Sequence, residues 1–323
     1  MLSREMLANT DLQVSQLCYG TNMFGTAIAQ ERATLLLDRF LSLGGNFIDT
    51  ARSYGDWIPD APLGASERAI GTWLKRNKRD DVVIATKGGF FDLRAGDYRN
   101  RVTPQDISSD LNQSLEHLGV DRIDLYWLHA DNPEAPVGPI MDTLIREQKA
   151  GRIRWFGASN WSPDRILEAN AYARSAGSAG FAAVQPFWGL GKPDTAAATQ
   201  QGYGHYYEDG FAKLHQLGLP MVPYAGQSRG FFTKADRDGI DNVPEPIKSM
   251  YAQTANATRL KAAQAVAARH GVNINAVVLS YLLSQPLQTV PIFGASSPEQ
   301  IEDSVRAAEL SLSTEELSEL QAD

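Results

Sequence analysis

A single cysteine, Cys18, stands in 323 residues. One thiol cannot form an intrachain disulfide, which fits a reducing compartment, and its neighbours Leu17 and Tyr19 mark it as an inert buried group. No uncharged apolar run is long enough to span a bilayer, and the opening "MLSREMLANT" lacks the apolar segment a signal peptide needs. The formal net charge is −8, whereas nucleic-acid binding needs a positive surface. The expectation is a cytoplasmic protein with neither membrane nor nucleic acid as partner. The five histidines (His117, His129, His205, His215 and His270) include no i,i+4 pair, so no metal site is expected. Also missing is a G-x-G-x-x-G between strand and helix, since "GLGKPD" at 189–194 has only the first two glycines. No serine-hydrolase nucleophile elbow is present.

What is there is ordinary in bulk: 43% hydrophobic and 21% charged residues, enough for a sizeable core. The pattern is more informative. After a segment at 4–15 that reads as a hairpin turning at "ANTD", short β-type runs lie at 17–20, 46–49, 82–86, 123–129, 153–159, 181–185, 220–224 and 289–294. Between them stretches of helical period fit Glu31 onward into Gly44-Gly45, then 66–76 with Ser66 as N-cap, and 103–119. In the last of these Thr103 caps, Pro104 opens and Gly119 closes the helix. Further helices fit 137–150, 163–177, 207–217, 258–270 and 298–308, with an additional one at 273–284. Strict alternation implies a parallel sheet with right-handed crossovers, and eight repeats at this length imply a closed (β/α)8 barrel. No linker interrupts it, so 1–323 is read as one domain. The longest irregular stretches, 189–206 and 225–257, follow β-segments, on the C-terminal face where barrel enzymes place their sites.

Polar residues close the strands on that face. Asp49 ends "FID", Lys87 follows "VVIAT", His129 ends "IDLYWLH", Ser159 and Asn160 end "GASN", and Gln185 ends "AVQ"; Tyr54 lies just past the first of them. Each alone has an ordinary structural reading, because a lone histidine is usually a satisfied core residue and a strand-end lysine usually snorkels. Asp, Lys and His on three successive strands converge on one rim, and that set suits acid–base work. A phenol titrates near pH 10, too high for ready proton exchange. A neighbouring ammonium lowers it, and a buried carboxylate keeps the ammonium charged and aimed. On this reading Tyr54 is the acid, Lys87 its partner, Asp49 the anchor, and His129 the group that orients the substrate oxygen.

"FIDTARSYG", "ATKGG", "IDLYWLH", "GASN" and "VQPFW", in this order and spacing, closely resemble the motifs of the aldo-keto reductase superfamily over about residues 4–310. The resemblance implies a catalytic tetrad of Asp49, Tyr54, Lys87 and His129. It implies a dinucleotide laid across the barrel rim without a Rossmann motif. Ser159, Asn160 and Gln185 would hold the carboxamide and Trp188 would stack on the nicotinamide. "GTNMFG" supplies Gly20, Thr21 and Asn22, and "PYAGQSRGFFTK" supplies Tyr224, Ala225, Gly226, Gln227, Ser228, Arg229 and Lys234 for the pyrophosphate region. Around the adenosine the corresponding residues are Gly294, Ser296, Ser297, Gln300 and Asp303. That stretch, "PIFGASSPEQIEDSV", has no Lys or Arg where NADP-preferring members carry them, and it adds Glu299, Glu302 and Asp303. NADP(H) follows from the family and NAD(H) from the local charge.

The expected activity is interconversion of an aldehyde, ketone or sugar with its alcohol, by a monomer or simple homo-oligomer. The runner-up is a cofactor-binding regulatory partner of the potassium-channel β-subunit type, which four intact tetrad positions disfavour. Trp57, Phe90, Trp161 and Trp188 are wall candidates for the substrate, beside Tyr54 and His129. Met23, Phe24 and Trp127 read as barrel packing, and Asn22, Asp92 and Asp131 would suit a hydroxylated substrate such as a sugar.

Overall fold

The computed structural model describes every residue except 78–79, 205, 208–210 and 323. It begins with the antiparallel hairpin of β1 (Arg4–Met6) and β2 (Gln13–Ser15), turned at Asn9 in the left-handed region. Seven parallel strands follow as staves: β3 (Cys18–Gly20), β4 (Phe47–Asp49), β5 (Val83–Gly88), β6 (Ile123–Leu128), β7 (Ile153–Ser159), β8 (Val184–Gln185) and β9 (Ile292–Phe293). Their order is β8-β7-β6-β5-β4-β3-β9.

The stave expected at 220–224 closes the ring between β8 and β9 without becoming a regular strand. Pro220 and Pro223 lack the N–H groups a ladder needs. Bonding persists around them: Val222 N donates to Val184 O (2.8 Å), Val290 N to Met221 O (2.7 Å) and Ile292 N to Pro223 O (2.9 Å). The result is a (β/α)8 barrel with its N-terminal hairpin.

The helices are α1 (Gln30–Ser42), α2 (Ala65–Arg76), α3 (Pro104–Leu118), α4 (Val137–Lys149), α5 (Pro163–Ser175), α6 (Thr195–Gln200), α7 (Phe211–Leu217), α8 (Phe231–Asp238), α9 (Ile247–Tyr251), α10 (Thr254–His270), α11 (Ile274–Leu283), α12 (Pro298–Val305) and α13 (Thr314–Gln321). Part of the helix expected over 207–217, and His205, lie outside the described residues. Thr103 caps α3 by accepting from Asp106 N, with Pro104 at its first position and Gly119 left-handed at its end.

Two local expectations are corrected. Ser66 does not cap α2; Gly64 does, in the left-handed region. The Ser66 hydroxyl instead donates to Thr21 O (2.7 Å) and bonds the hydroxyls of Thr21 and Thr50, fastening α2 to the ends of β3 and β4. The stretches 189–206 and 225–257 are not irregular throughout, since they hold α6, α8, α9 and the start of α10. Helix α6 is too short to show a period but is capped by Asp194, which accepts from Ala197 N (2.8 Å).

Among the described residues there are two cores. The larger lies between barrel and helices. The smaller fills the barrel: Leu7, Leu12 and Val14 from the hairpin seal its floor beneath Cys18, Phe47, Val83, Ala85, Leu125, Trp127, Ala183, Val222 and Val290. Cys18 is fully buried there, and burial pushes its thiol well above the ordinary range, so it is no nucleophile. Gly157 makes room for Trp127, whose ring would lie 2.3 Å from an added Cβ.

Candidate active site

Strand parity builds the site. Side chains two apart point to the same face. Phe47, Ala85 and Trp127 belong to the inner core, so Asp49, Lys87 and His129, each two residues further on, project inward above it. Gln185 follows Ala183 by the same rule.

Lys87 is the hub. Its Nζ donates to Asp49 Oδ1, to Thr50 O (2.8 Å) and to Tyr54 Oη (3.0 Å), so all three ammonium donors are used. Lys87 and Asp49 are each 1% exposed. The second Asp49 oxygen accepts from Gln185 Nε2 (3.0 Å). Gln185, expected at a cofactor carboxamide, thus has its amide nitrogen committed to the anchor carboxylate.

The Tyr54 turn is held from behind by Arg52, buried among Asp56 (3.5 Å), Asp110 (3.6 Å) and Asp92 (3.8 Å). The Tyr54 and His129 rings meet edge to face at 6.0 Å. Asn160, in the left-handed region, donates to His129 O (2.9 Å) and accepts from Tyr224 Oη (2.7 Å). Ser159 Oγ donates to Gln185 O (3.0 Å).

Burial pulls the Lys87 ammonium down, but Asp49 and Tyr54 outweigh it and hold the group above its ordinary value. Burial raises Asp49 against the pull of Lys87 and Gln185. Tyr54 reverses an expectation. Lys87 does pull the phenol down, but burial pushes it up further and Asp49 adds to the rise, so the net direction is upward. His129 is driven well below its ordinary value by burial, Lys87 and Arg52, and is neutral at pH 7.

Along the rim toward β9, Thr21 binds Asp49 O through both N (3.1 Å) and Oγ1 (2.8 Å), Gly20 abuts Ile292, and Asn22 is exposed. Ala225, Ser228, Arg229 and Gly230 all have positive φ in a tight turn closed by Ser228 N donating to Ala225 O (2.7 Å) and Gly230 N to Gln227 O (2.8 Å). Gly226 is buried beside them. Gln227 ties this turn to the next by accepting from Gly294 N (2.8 Å) and donating to Asn275 Oδ1 (2.9 Å). Lys234 Nζ donates to Arg229 O (3.0 Å), and among the described residues neither cation pairs with a carboxylate. Arg229 donates to Gln201 Oε1 (2.5 Å) and lies 5.8 Å over the Tyr203 ring.

At the head of α12, Ser297 caps Gln300 N (3.3 Å), and Gln300 Oε1 accepts from Ser296 N (2.7 Å). Asp303 lies 3.9 Å from Arg306, and Glu302 is neutralised by Arg39 at 2.7 Å. A cation that the sequence reading missed stands here too: Arg32, on α1, donates through Nε and Nη2 to Ser296 O (3.1 Å each). It lies far away in sequence, so no window around α12 could show it.

Residues 16–322 match the family model described as the Aldo/keto reductase family. The chain belongs to that family. An aryl-alcohol dehydrogenase of Pestalotiopsis microspora is 26% identical over 332 residues, covering 98% of this chain and 81% of its own. A norsolorinic acid reductase of Emericella nidulans is 28% identical over 327 residues, covering 96% and 78%. The Bacillus subtilis oxidoreductase YrpG is 27% identical over 328 residues, covering 96% and 92%.

Three aromatic placements in this aldo-keto reductase differ from expectation. Trp188 is 2% exposed and packs edge-on to Tyr281 at 6.2 Å, so it offers no free face at the rim. The half-buried Tyr224, stacked on Phe187 at 5.4 Å, stands at that rim instead. Trp161 is 1% exposed, its indole donating to Ala130 O (3.1 Å), and it packs beneath the surface against Phe181. Phe24 and Trp127 are buried as expected, whereas Met23 is 41% exposed on the loop after β3.

The polar rim differs as well. Asp131 is bound by Arg165 (3.1 and 3.3 Å), while Asp92 accepts from the amides of Arg94 (3.1 Å) and Ala95 (3.0 Å). Asp131 is thus engaged through both oxygens, whereas Asp92 uses Oδ1 for the amides and has Arg52 Nη1 at 3.8 Å from Oδ2.

Proposed function

We propose that this oxidoreductase interconverts a carbonyl compound and its alcohol using a nicotinamide dinucleotide, with Tyr54 as general acid in reduction and general base in oxidation. The observation that carries the reading is the Lys87 ammonium, bonded at once to Asp49 and to the Tyr54 phenol at the open end of a barrel. The aryl-alcohol dehydrogenase name of one relative supports the same reaction class.

The donor set fits a dinucleotide. Among the described residues Arg229 and Lys234 pair with no carboxylate, and two such neighbouring cations suit phosphates. Gln227, Ser228, Ser296, Ser297 and Gln300 would line its adenosine end, and Tyr224, Ser159 and Asn160 its nicotinamide end. The dinucleotide, when bound, supplies or accepts the hydride. The chain's own part is proton handling. Tyr54 gives its proton to the substrate oxygen, Lys87 stabilises the phenolate that remains, Asp49 holds Lys87, and neutral His129 orients the substrate oxygen without competing as an acid.

Turnover is tested by following nicotinamide absorbance with a carbonyl substrate and, in reverse, an alcohol. Binding of the dinucleotide without turnover would favour a regulatory binding protein. The pH dependence follows from the groups themselves. A phenol held above its ordinary value stays protonated through neutrality, so kcat for reduction should be flat from about pH 6 to 9. Oxidation needs phenolate and should rise with pH over the same range. A limb near pH 6.5 in reduction would show that His129 titrates there and would overturn its neutral role.

For the adenosine end, the expected preference for NADP(H) over NAD(H) is less than about a hundredfold, or under roughly 2.7 kcal/mol. Helix α12 brings acidic residues and no cation of its own, and Arg32 is the only basic side chain bonded to its leading turn among the described residues. Arg32→Ala should shrink whatever preference exists. The ratio of kcat/KM for the two cofactors decides it: a thousandfold preference, unmoved in Arg32→Ala, would refute this account.

A further inference from the structure

Behind Tyr54 the chain buries a cation that the chemistry above does not use. Arg52, two residues before Tyr54 and 2% exposed, presents each of its three guanidinium nitrogens to a different carboxylate. Nη2 faces Asp56 (3.5 Å), Nε faces Asp110 (3.6 Å) and Nη1 faces Asp92 (3.8 Å). The three anions come from three places: Asp56 from the segment after β4, Asp92 from the segment after β5, and Asp110 from α3. Asp56 and Asp110 are buried like Arg52, and Asp92 is half-buried.

This cage reaches both members of the proton pair. Arg52 N donates to Lys87 O (3.1 Å), and Asp110 Oδ2 accepts from Gly89 N (2.9 Å), just past Lys87. On the other side Arg52 and Asp56 flank the turn that carries Tyr54, closed by Tyr54 N donating to Ala51 O (3.1 Å) and Asp56 N to Ser53 O (3.1 Å). The three side-chain contacts of Arg52 are longer than ordinary hydrogen bonds, so attraction between charges draws the elements together. Burial raises the Asp56 carboxyl, Arg52 pulls it down, and Asp92 adds to the rise. Arg101, 2.9 Å from Asp110 and 3.6 Å from Asp106, meets the cage only at its α3 edge.

We propose that Arg52 is a positioning residue whose charge seats the Tyr54 turn against the end of β5 and so keeps the phenol in bonding reach of the Lys87 ammonium. The proposal rests on the reductase reading above. Arg52 touches no reacting atom. A neutral side chain in its place would fill the space yet leave Asp56, Asp92 and Asp110 to repel one another, and the two segments would part. A displacement of about 1 Å at a reacting group can cost about a hundredfold in rate, so a small parting suffices.

Two substitutions separate charge from bulk. Arg52→Met fills most of the space without charge, and Arg52→Lys keeps the charge. For each, kcat and KM are measured with 4-nitrobenzaldehyde, dinucleotide affinity by fluorescence titration, and the Lys87–Tyr54 bond in a crystal structure. Arg52→Met should lower kcat by about tenfold to a hundredfold while KM and dinucleotide affinity stay within about threefold. Its Lys87 Nζ to Tyr54 Oη distance should open from 3.0 Å to beyond about 3.5 Å. Arg52→Lys should keep kcat within about threefold of the parent and the bond intact. If Arg52→Met fails to fold, Asp92→Asn, which releases the segment after β5 from the cation, carries the test with a several-fold fall in kcat and the same unchanged affinities.

Arg52→Met within about twofold of the parent in kcat would overturn the proposal, as would Arg52→Lys as impaired as Arg52→Met, or dinucleotide affinity falling in step with kcat. A parent that turns over no carbonyl would reject the reductase reading instead. The crystal structures would then judge the cage alone: a bond opened in Arg52→Met and intact in Arg52→Lys supports it, and a bond intact in both rejects it.

Discussion

Tyr54→Phe should lower turnover by between about a hundredfold and ten-thousandfold while leaving dinucleotide affinity within about twofold. The substitution removes one oxygen and keeps the ring, so packing against Trp57 and His129 persists. What disappears is the proton that the Lys87-bonded phenol would deliver. The remaining candidate donor, His129, is neutral and held well below its ordinary value, so it cannot substitute at pH 7. Stopped-flow rates of hydride transfer and a fluorescence titration with the dinucleotide separate the two quantities. Retention of activity within about fivefold would remove Tyr54 from the chemistry.

Lys87→Met should be severe on two counts. Turnover should fall at least as far as in Tyr54→Phe, because the phenolate loses its counter-charge. Stability should fall too, by about 3–5 kcal/mol, because Asp49 is left as an unpaired carboxylate inside the barrel. The double variant Asp49→Asn with Lys87→Met removes both charges and should regain more than half of that loss without regaining activity. Chemical denaturation of the single and double variants decides it. A single variant within about 1 kcal/mol of the parent would show that the pair is not the closed unit described here.

Much of this was written locally in the chain. Asp49, Lys87 and His129 each sit two residues beyond a core side chain in a short β-run, so parity and strand ends alone brought them together. The helix from Pro104 was equally legible because its cap, proline and glycine lie within the segment. What failed depended on distant partners. Ser66 looked like a cap until Thr21 and Thr50 came near it. Trp188 and Tyr224 follow different strands, and only packing against Tyr281 and Phe187 decides which ring reaches the rim. The carboxylate of Asp131 looked available until the side chain of Arg165 reached both its oxygens. The Tyr54 phenol looked lowered because its ammonium neighbour could be read from sequence, while the depth of its burial could not.

The hairpin seals the barrel from below with Leu7, Leu12 and Val14, and Gln288 fastens it by accepting from Ala8 N (2.8 Å) and donating to Met6 O (3.0 Å). Beneath the site, Phe47, Ala85 and Trp127 pack directly onto these three side chains, so the barrel is solid from its floor to the level of Asp49 and Lys87. A substitution at Leu12, far from Tyr54 in space, would therefore reach the site only through that column of side chains, as a shift of Phe47 or Trp127 rather than as a change in charge or access.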